Sequence, residues 1–197
     1  MTPFADLSIT TPRLTLRLLT EADAADLFTI FGDPRVMRYW SSTAWTDPSQ
    51  ALQMVASDRE AAAGRRDLRL GLVRRDLGRV VGTASLFKID ANNRRAEIGY
   101  ALAHDQQGSG LMHEALSALV GSAFDHRPGA AFDDLLLHRI EADIDPRNAA
   151  SAASLERLGF RLEGTLRERW WVAGEVSDSG LYGLLRPDWL RRVSPAA

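Results

Sequence analysis

Leucine alternates with polar residues through Arg13-Leu14-Thr15-Leu16-Arg17-Leu18, a period of two that predicts a strand with one buried face. The period then lengthens. Leu27, Phe28, Ile30 and Phe31 share one side of a helix, with Thr20 and Asp23 at capping-box spacing before it and Gly32, then Asp33-Pro34, stopping it. A second helix is predicted over 45–65, where Asp47-Pro48 suits a start and Ala51, Met54, Val55 and Ala62 fall near one face. From residue 67 the period returns to two in three short runs, 67–75, 79–89 and 94–103, divided by turn-forming residues at 75–78 and 90–93. Runs so closely spaced predict three consecutive antiparallel strands.

Helical spacing is strongest after residue 110, where Leu111, Met112, Ala115, Leu116, Leu119, Val120, Ala123 and Phe124 cover one face along about four turns. Residues 127–134 read as a loop, and 135–144 as a largely apolar strand suited to the inside of a sheet. An alanine-rich helix within 145–160 ends at Gly159, a C-cap position that favours positive φ. Two further strands over about 160–172 and 175–186 meet at an Ala173-Gly174 turn, and the tail 192–197 is expected to fray. The order of elements predicts an α/β fold, a mixed sheet with helices on its faces.

Composition narrows the chemistry. The 197 residues suit one domain, 45% hydrophobic and 25% charged, with no internal repeat. A formal charge of −2 provides no global attraction to nucleic acid or to an anionic membrane, and no direct nucleic-acid or membrane partner is expected. The absence of cysteine removes disulfides and thiolate chemistry, and the four histidines show no metal-ligand spacing, so no metal is expected. Met1 to Leu14 lacks the basic and apolar regions of a secretion signal, and a cytoplasmic location is the expectation.

The remaining signal is Gln107-Gly108-Ser109-Gly110, between the third of the antiparallel strands and the strongest helix. A glycine turn feeding a helix N-terminus presents backbone N–H groups at the positive end of the helix dipole and can hold a phosphate without lysine. An ordinary tight turn needs glycine as much, and the loop alone leaves both readings open. It is neither a Walker A loop nor GxGxxG, since no Gly-Lys-Ser/Thr follows and His113 fills the third glycine position.

Three segments taken together, 96–116, 137–160 and 163–189, resemble the GNAT superfamily of acetyl-CoA-dependent N-acetyltransferases, within it the branch of ribosomal-protein alanine and serine N-terminal acetyltransferases. Residues 11–28 match that branch too, so the resemblance spans nearly the whole chain as one domain, 1–197, with a core of about 9–190. It implies a predominantly antiparallel mixed sheet of about seven strands, flanked by about four helices and splayed at the acetyl-CoA site. Acetyl-CoA as cosubstrate is implied to lie on Tyr100, Leu102 and Ala103 of the splayed strand, on the loop Gln107, Gly108, Ser109, Gly110, Leu111 and Met112, and on Asn148. The sequence departs from the family at Met112, where a small residue is usual, and at His104, where proline is usual. Relatives often carry a tyrosine acid seven residues after the asparagine; Leu155 stands there, and Ser151 is left as the group near the thioester sulfur.

Attack of an amine on a thioester needs a neutral amine, an N–H for the oxyanion and a proton for the leaving thiolate. Ser151 is the candidate donor, though a small helix residue chosen for packing reads the same. Glu97 is the first candidate base and Glu168 the second; an ion pair with Arg95 or Arg139 is the competing account of Glu97. The Tyr39-Trp40 stretch and Trp171 are the candidate acceptor contacts, with ordinary core packing as the alternative for the first two. Trp170 and Trp171 point to opposite faces of a strand, so at most one lines a cleft. The acceptor is expected to be a primary amine, either a peptide N-terminus or a small molecule, and the protein a monomer or homodimer. A non-catalytic acyl-CoA-binding or regulatory protein on the same fold is the alternative.

Overall fold

A computed structural model describes Phe4 and residues 7–193. The alternating leucines form β2 (Leu14–Leu18), with Leu14 and Leu16 buried. It pairs antiparallel with β1 (Ser8–Thr10), whose three residues are too few to carry a period. The capping box is present: Thr20 and Asp23 close a short turn that leads into α1 (Ala24–Phe31). After it come a four-residue α2 (Pro34–Met37), capped by Asp33, and α3 (Ser49–Ala63).

The three predicted antiparallel strands are β3 (Leu68–Arg74), β4 (Arg79–Asp90) and β5 (Arg95–Leu102). The main helix is α4 (Leu111–Ala123), followed by β6 (Arg139–Ile144), α5 (Ala149–Leu158), β7 (Arg161–Val172), β8 (Glu175–Leu185) and α6 (Arg186–Val193). β7 and β8 meet at Ala173-Gly174, both at positive φ, as a two-residue hairpin of this hand requires. Among the described residues the sheet has eight strands, in the order β1-β2-β3-β4-β5-β6-β8-β7, with six α-helices. The resemblance implied about seven strands and about four helices, numbers exceeded because the three-residue β1 and the short α2 and α6 are too brief to carry a pattern.

Three expectations change in detail. The apolar run 135–144 enters the sheet only at Arg139, because Leu136 turns to a φ of 46° and its carbonyl accepts from Arg94 Nε at 2.7 Å. α6 was not foreseen, since only Trp189 of its eight residues is buried and one anchor makes no period. Residues 192 and 193 end that helix instead of fraying, and 194–197 lie outside the described residues.

Strand alternation divides the core between the two faces. Ile98 and Leu102 of β5 join a large cluster with Leu111, Leu116 and Leu119 of α4 and Leu155 of α5, whereas Ala101 joins Leu27, Phe31, Met37 and Val55 from α1, α2 and α3. The decisive irregularity is between β5 and β6. They pair in parallel only through Arg95–Glu97 and Arg139–Glu141; beyond Glu97 β5 runs on without β6, which continues beside β8. The sheet therefore splays from Ile98 onward.

α3 is tied to β3 by Asp58 and Arg69, whose Oδ2 and Nε lie 3.4 Å apart. Burial pushes the Asp58 carboxyl up from 3.8 to about 6, outweighing the pull of Arg69, with Asp67 adding to the rise. The folded state thus binds a proton more tightly than the unfolded chain, so this group's contribution to stability falls as pH rises from 3.8 to about 6 and stays low above. Asp58→Asn is expected to stabilise the protein at pH 8 by up to ~2 kcal/mol, the gain vanishing near pH 4; thermal melts at the two pH values check it.

Candidate active site

The splay opens a cavity of about 710 Å³ between Tyr100, Ala101 and Leu102 of β5 and Asn148 and Ser151 at the start of α5. The end of this cavity is formed by Gln107, Gly108, Gly110, Met112 and His113. Gly108 and Gly110 adopt φ of 72° and 78°, the left-handed region that side chains resist. A Cβ on Gly108 would meet no atom within 4 Å, so backbone conformation alone demands glycine there and the loop's outer side is open. Gly110 is the N-cap of α4 and has no side chain to cap it. The first N–H groups of the helix are thus offered to whatever enters the cavity.

The loop is braced from the turn between β1 and β2. Arg13 donates to the Ser109 carbonyl at 2.9 Å and to Glu114 Oε2 at 2.6 Å, while Thr11 and the Arg13 N–H donate to Glu114 Oε1 at 2.6 and 2.8 Å. Ser109 closes the turn on the Gln106 carbonyl at 2.6 Å, and Gln107 Nε2 donates to Leu102 O at 3.1 Å, joining loop to strand. Met112 lies half-buried against the large core cluster and forms cavity wall without filling the loop. His113 was read only as a missing glycine, yet it lines the cavity; burial first, then Arg157 and Arg192, hold its pKa below the ordinary value.

α5 is positioned by an aspartate turn. Asp145 is buried and accepts from the Arg147 N–H at 2.9 Å and from its guanidinium, which holds the carboxyl below the usual range. This turn delivers Asn148 as N-cap, its Oδ1 accepting from the Ser151 N–H at 3.1 Å. Ser151, 8% exposed, shares a 2.7 Å hydrogen bond with the Tyr100 hydroxyl. Burial, partly offset by that bond, pushes the phenol up to about 12, so it keeps its proton at neutral pH. The resemblance implied Tyr100 as a cosubstrate contact and not as a partner of Ser151. Its side chain follows from alternation with Ile98 and Leu102, but the partner on α5 has no local signature.

A second cavity, of about 380 Å³, lies toward the α1–α3 side and shares Trp40, Tyr100, Asn148 and Ser151 with the first. Trp40 meets both readings of its stretch: its ring packs edge-on against Phe31 at 5.7 Å, and it lines both cavities. Tyr39 lines the second, as does Trp170. Trp171, by contrast, is 75% exposed and lines neither, because strand alternation turns it to the outer face of the hairpin.

Glu97 also lines the second cavity, with both oxygens accepting from Lys88 Nζ at 2.9 Å. A bulge in β4 that gives Lys88 a φ of 50° brings this partner, while Arg95 and Arg139 pair with Glu141. Glu168 sits exposed in an irregular stretch of β7 with a φ of 51° and lines neither cavity. Leu155 is fully buried. Among the described residues no group of three or more His, Asp or Glu converges as a metal site, and no helix is long and apolar enough to cross a membrane.

Two cavities that join through an opened strand pair, with an anion-ready loop at one end, are the frame of an acyl-CoA-dependent transferase. The acetyltransferase (GNAT) domain profile matches residues 13–161, and the chain belongs to that family. It is 34% identical to the N-acetyltransferase p20 of Bacillus licheniformis over 91% of this chain and 96% of that protein. It is 29% identical to the [ribosomal protein uS5]-alanine N-acetyltransferase of Escherichia coli, covering 92% of each. A crystal structure of a probable acetyltransferase superposes with a TM-score of 0.81 at 28% identity, covering 93% of this chain and 99% of that one. The chain is an acetyl-CoA-dependent N-acetyltransferase that acts on an amine.

Proposed function

We propose that the larger cavity holds acetyl-CoA and the smaller one a primary amine, the two reacting directly at Tyr100 and Ser151. The carrying observation is the 2.7 Å hydrogen bond between these residues at the junction of both cavities. The pyrophosphate rests on the N–H groups around Gly108, Ser109 and Gly110 and at the start of α4, where Leu111 and Met112 begin the helix. The pantetheine arm runs along the edge of β5 left free by β6, over Tyr100 and Leu102, which line the cavity, toward Ala103 just past the strand end, and passes Asn148.

The amine nitrogen bonds to the thioester carbonyl carbon, the carbonyl π pair moves to oxygen, and collapse expels the thiolate. The Ser151 hydroxyl delivers a proton to sulfur and takes one from the Tyr100 phenol, which is protonated at working pH and regains its proton from solvent as the products leave. The ammonium proton leaves through Glu97, which exchanges a Lys88 contact for it. Holding both substrates in register supplies much of the rate, since well-oriented reactants gain roughly 7 to 11 kcal/mol.

Tyr39, Trp40 and Trp170 shape the acceptor cavity, which has room for a peptide N-terminus or a small amine. Similarity to the Escherichia coli enzyme supports the first. The same reading makes 1–197 one acetyltransferase domain that works in the cytoplasm, where acetyl-CoA is at hand, as a monomer or homodimer. Peptides beginning with Ala or Ser, and a panel of small amines, are offered with acetyl-CoA while released thiol and acetylated product are measured. Stoichiometric thiol and product are expected for at least one acceptor. Acetyl-CoA binding with no turnover on any acceptor overturns the catalytic reading in favour of an acyl-CoA-binding protein.

A further inference from the structure

The acceptor cavity is walled by five charged side chains: Arg69, Lys88, Glu97, Asp143 and Asp145. Four are saturated. Glu97 takes Lys88 on both oxygens, Asp145 takes Arg147 on both, and Asp143 accepts from Arg169 and from the Ser179 hydroxyl. Arg69 differs. Among the described residues its guanidinium makes one hydrogen bond, from Nη1 to the thioether of Met54 at 2.8 Å, and sulfur is a weak acceptor. Its ion-pair partner Asp58 stands 3.4 Å away, and both facing atoms, Arg69 Nε and Asp58 Oδ2, are buried without a hydrogen bond.

The sheet register fixes where this cation stands. Arg69 is directly opposite Ser85, and Ser85 directly opposite Gly99, so the three share one face, and Gly99 immediately precedes Tyr100. Two strand spacings place the Arg69 backbone about 10 Å from that of Gly99, within side-chain reach of a group carried a few bonds from a nitrogen at the Tyr100–Ser151 junction. A guanidinium presents a fork of donors that matches a carboxylate.

Resting on the transferase reading above, we propose that Arg69 determines acceptor specificity by taking a carboxylate carried by the amine that is acetylated. That carboxylate belongs either to a free amino acid or to an acidic side chain close to a peptide N-terminus. The raised pKa of Asp58 is consistent with this, since a partly protonated neighbour leaves the Arg69 charge less than fully compensated near pH 6.

The test compares kcat/KM for matched pairs: amino acids against their carboxamides, and peptides beginning Ser-Asp against Ser-Asn. The carboxylate member is expected to be preferred by about tenfold or more, the worth of a charge-assisted hydrogen bond. Arg69→Gln is expected to bring the ratio close to one, mainly through KM. Which pair shows the preference identifies the source of the carboxylate. Equal use of both members, or a preference that survives Arg69→Gln, overturns the proposal. The double variant Asp58→Asn/Arg69→Gln leaves no unpaired buried charge and repeats the comparison should the single variant fail to fold.

If no acceptor is turned over, the transferase reading fails by itself, and calorimetry on CoA-loaded protein decides the Arg69 question. Tighter binding of N-acetyl amino acids than of their amides, lost in Arg69→Gln, upholds the carboxylate site; equal binding overturns it.

Discussion

Replacing Tyr100 by phenylalanine is expected to lower kcat by about 100-fold, at the modest end of what a placed proton donor contributes. Phenylalanine preserves the ring that faces both cavities and removes only the hydroxyl bonded to Ser151 at 2.7 Å. The binding loop and the free edge of β5 are untouched, so KM for acetyl-CoA should move little. Ser151→Ala should cost a similar factor, and the double variant hardly more than either single one, because the two hydroxyls deliver one proton as a unit. The phenol, pushed up to about 12 by burial, remains protonated across the working range, so the loss should be uniform from about pH 6 to 9. Steady-state kinetics of the four proteins decide the matter. Multiplying losses would mean independent roles, and an unchanged kcat in Tyr100→Phe would reduce the tyrosine to wall.

Gly108→Val is expected to weaken acetyl-CoA binding by about 100-fold, the loss of one or two charge-assisted hydrogen bonds. A β-branched residue is strongly disfavoured at the φ of 72° found here, so the loop must relax and its N–H groups turn away. The protein itself leaves room for the new side chain, with no atom within 4 Å of the Cβ position. Folding should therefore suffer only the backbone strain, about 1 to 3 kcal/mol. Calorimetric titration with acetyl-CoA, set beside a thermal melt, separates the two effects. A variant that melts lower yet binds acetyl-CoA normally would show that the glycines serve the turn and nothing else.

The candidate site was legible in proportion to how local each part is. The glycine loop declares itself because positive φ and a helix start are properties of neighbouring residues. Tyr100 was legible as strand and illegible as a hydroxyl, since its partner lies 51 residues away on another element. The account of Glu97 that competed with a base gave it an arginine on its own or the adjacent strand; it instead holds Lys88, turned toward it by a bulge that no pattern of residue types announces. Arg69 carries no local signature of a site. It occupies the polar position of a plain alternation, Leu68-Arg69-Leu70, and only the position of α3 and the cavity distinguish it from a surface arginine.

Periodicity, capping residues and glycine positions determined the strands and helices other than β1, α2 and α6, because each is set by contacts within a few residues or by which face must be dry. Where β5 parts from β6, which of Trp170 and Trp171 faces inward, and the meeting of Tyr100 with Ser151 were decided only by tertiary structure. Each depends on register and bulges between segments far apart in the chain, where a shift of one residue exchanges the two faces of a strand.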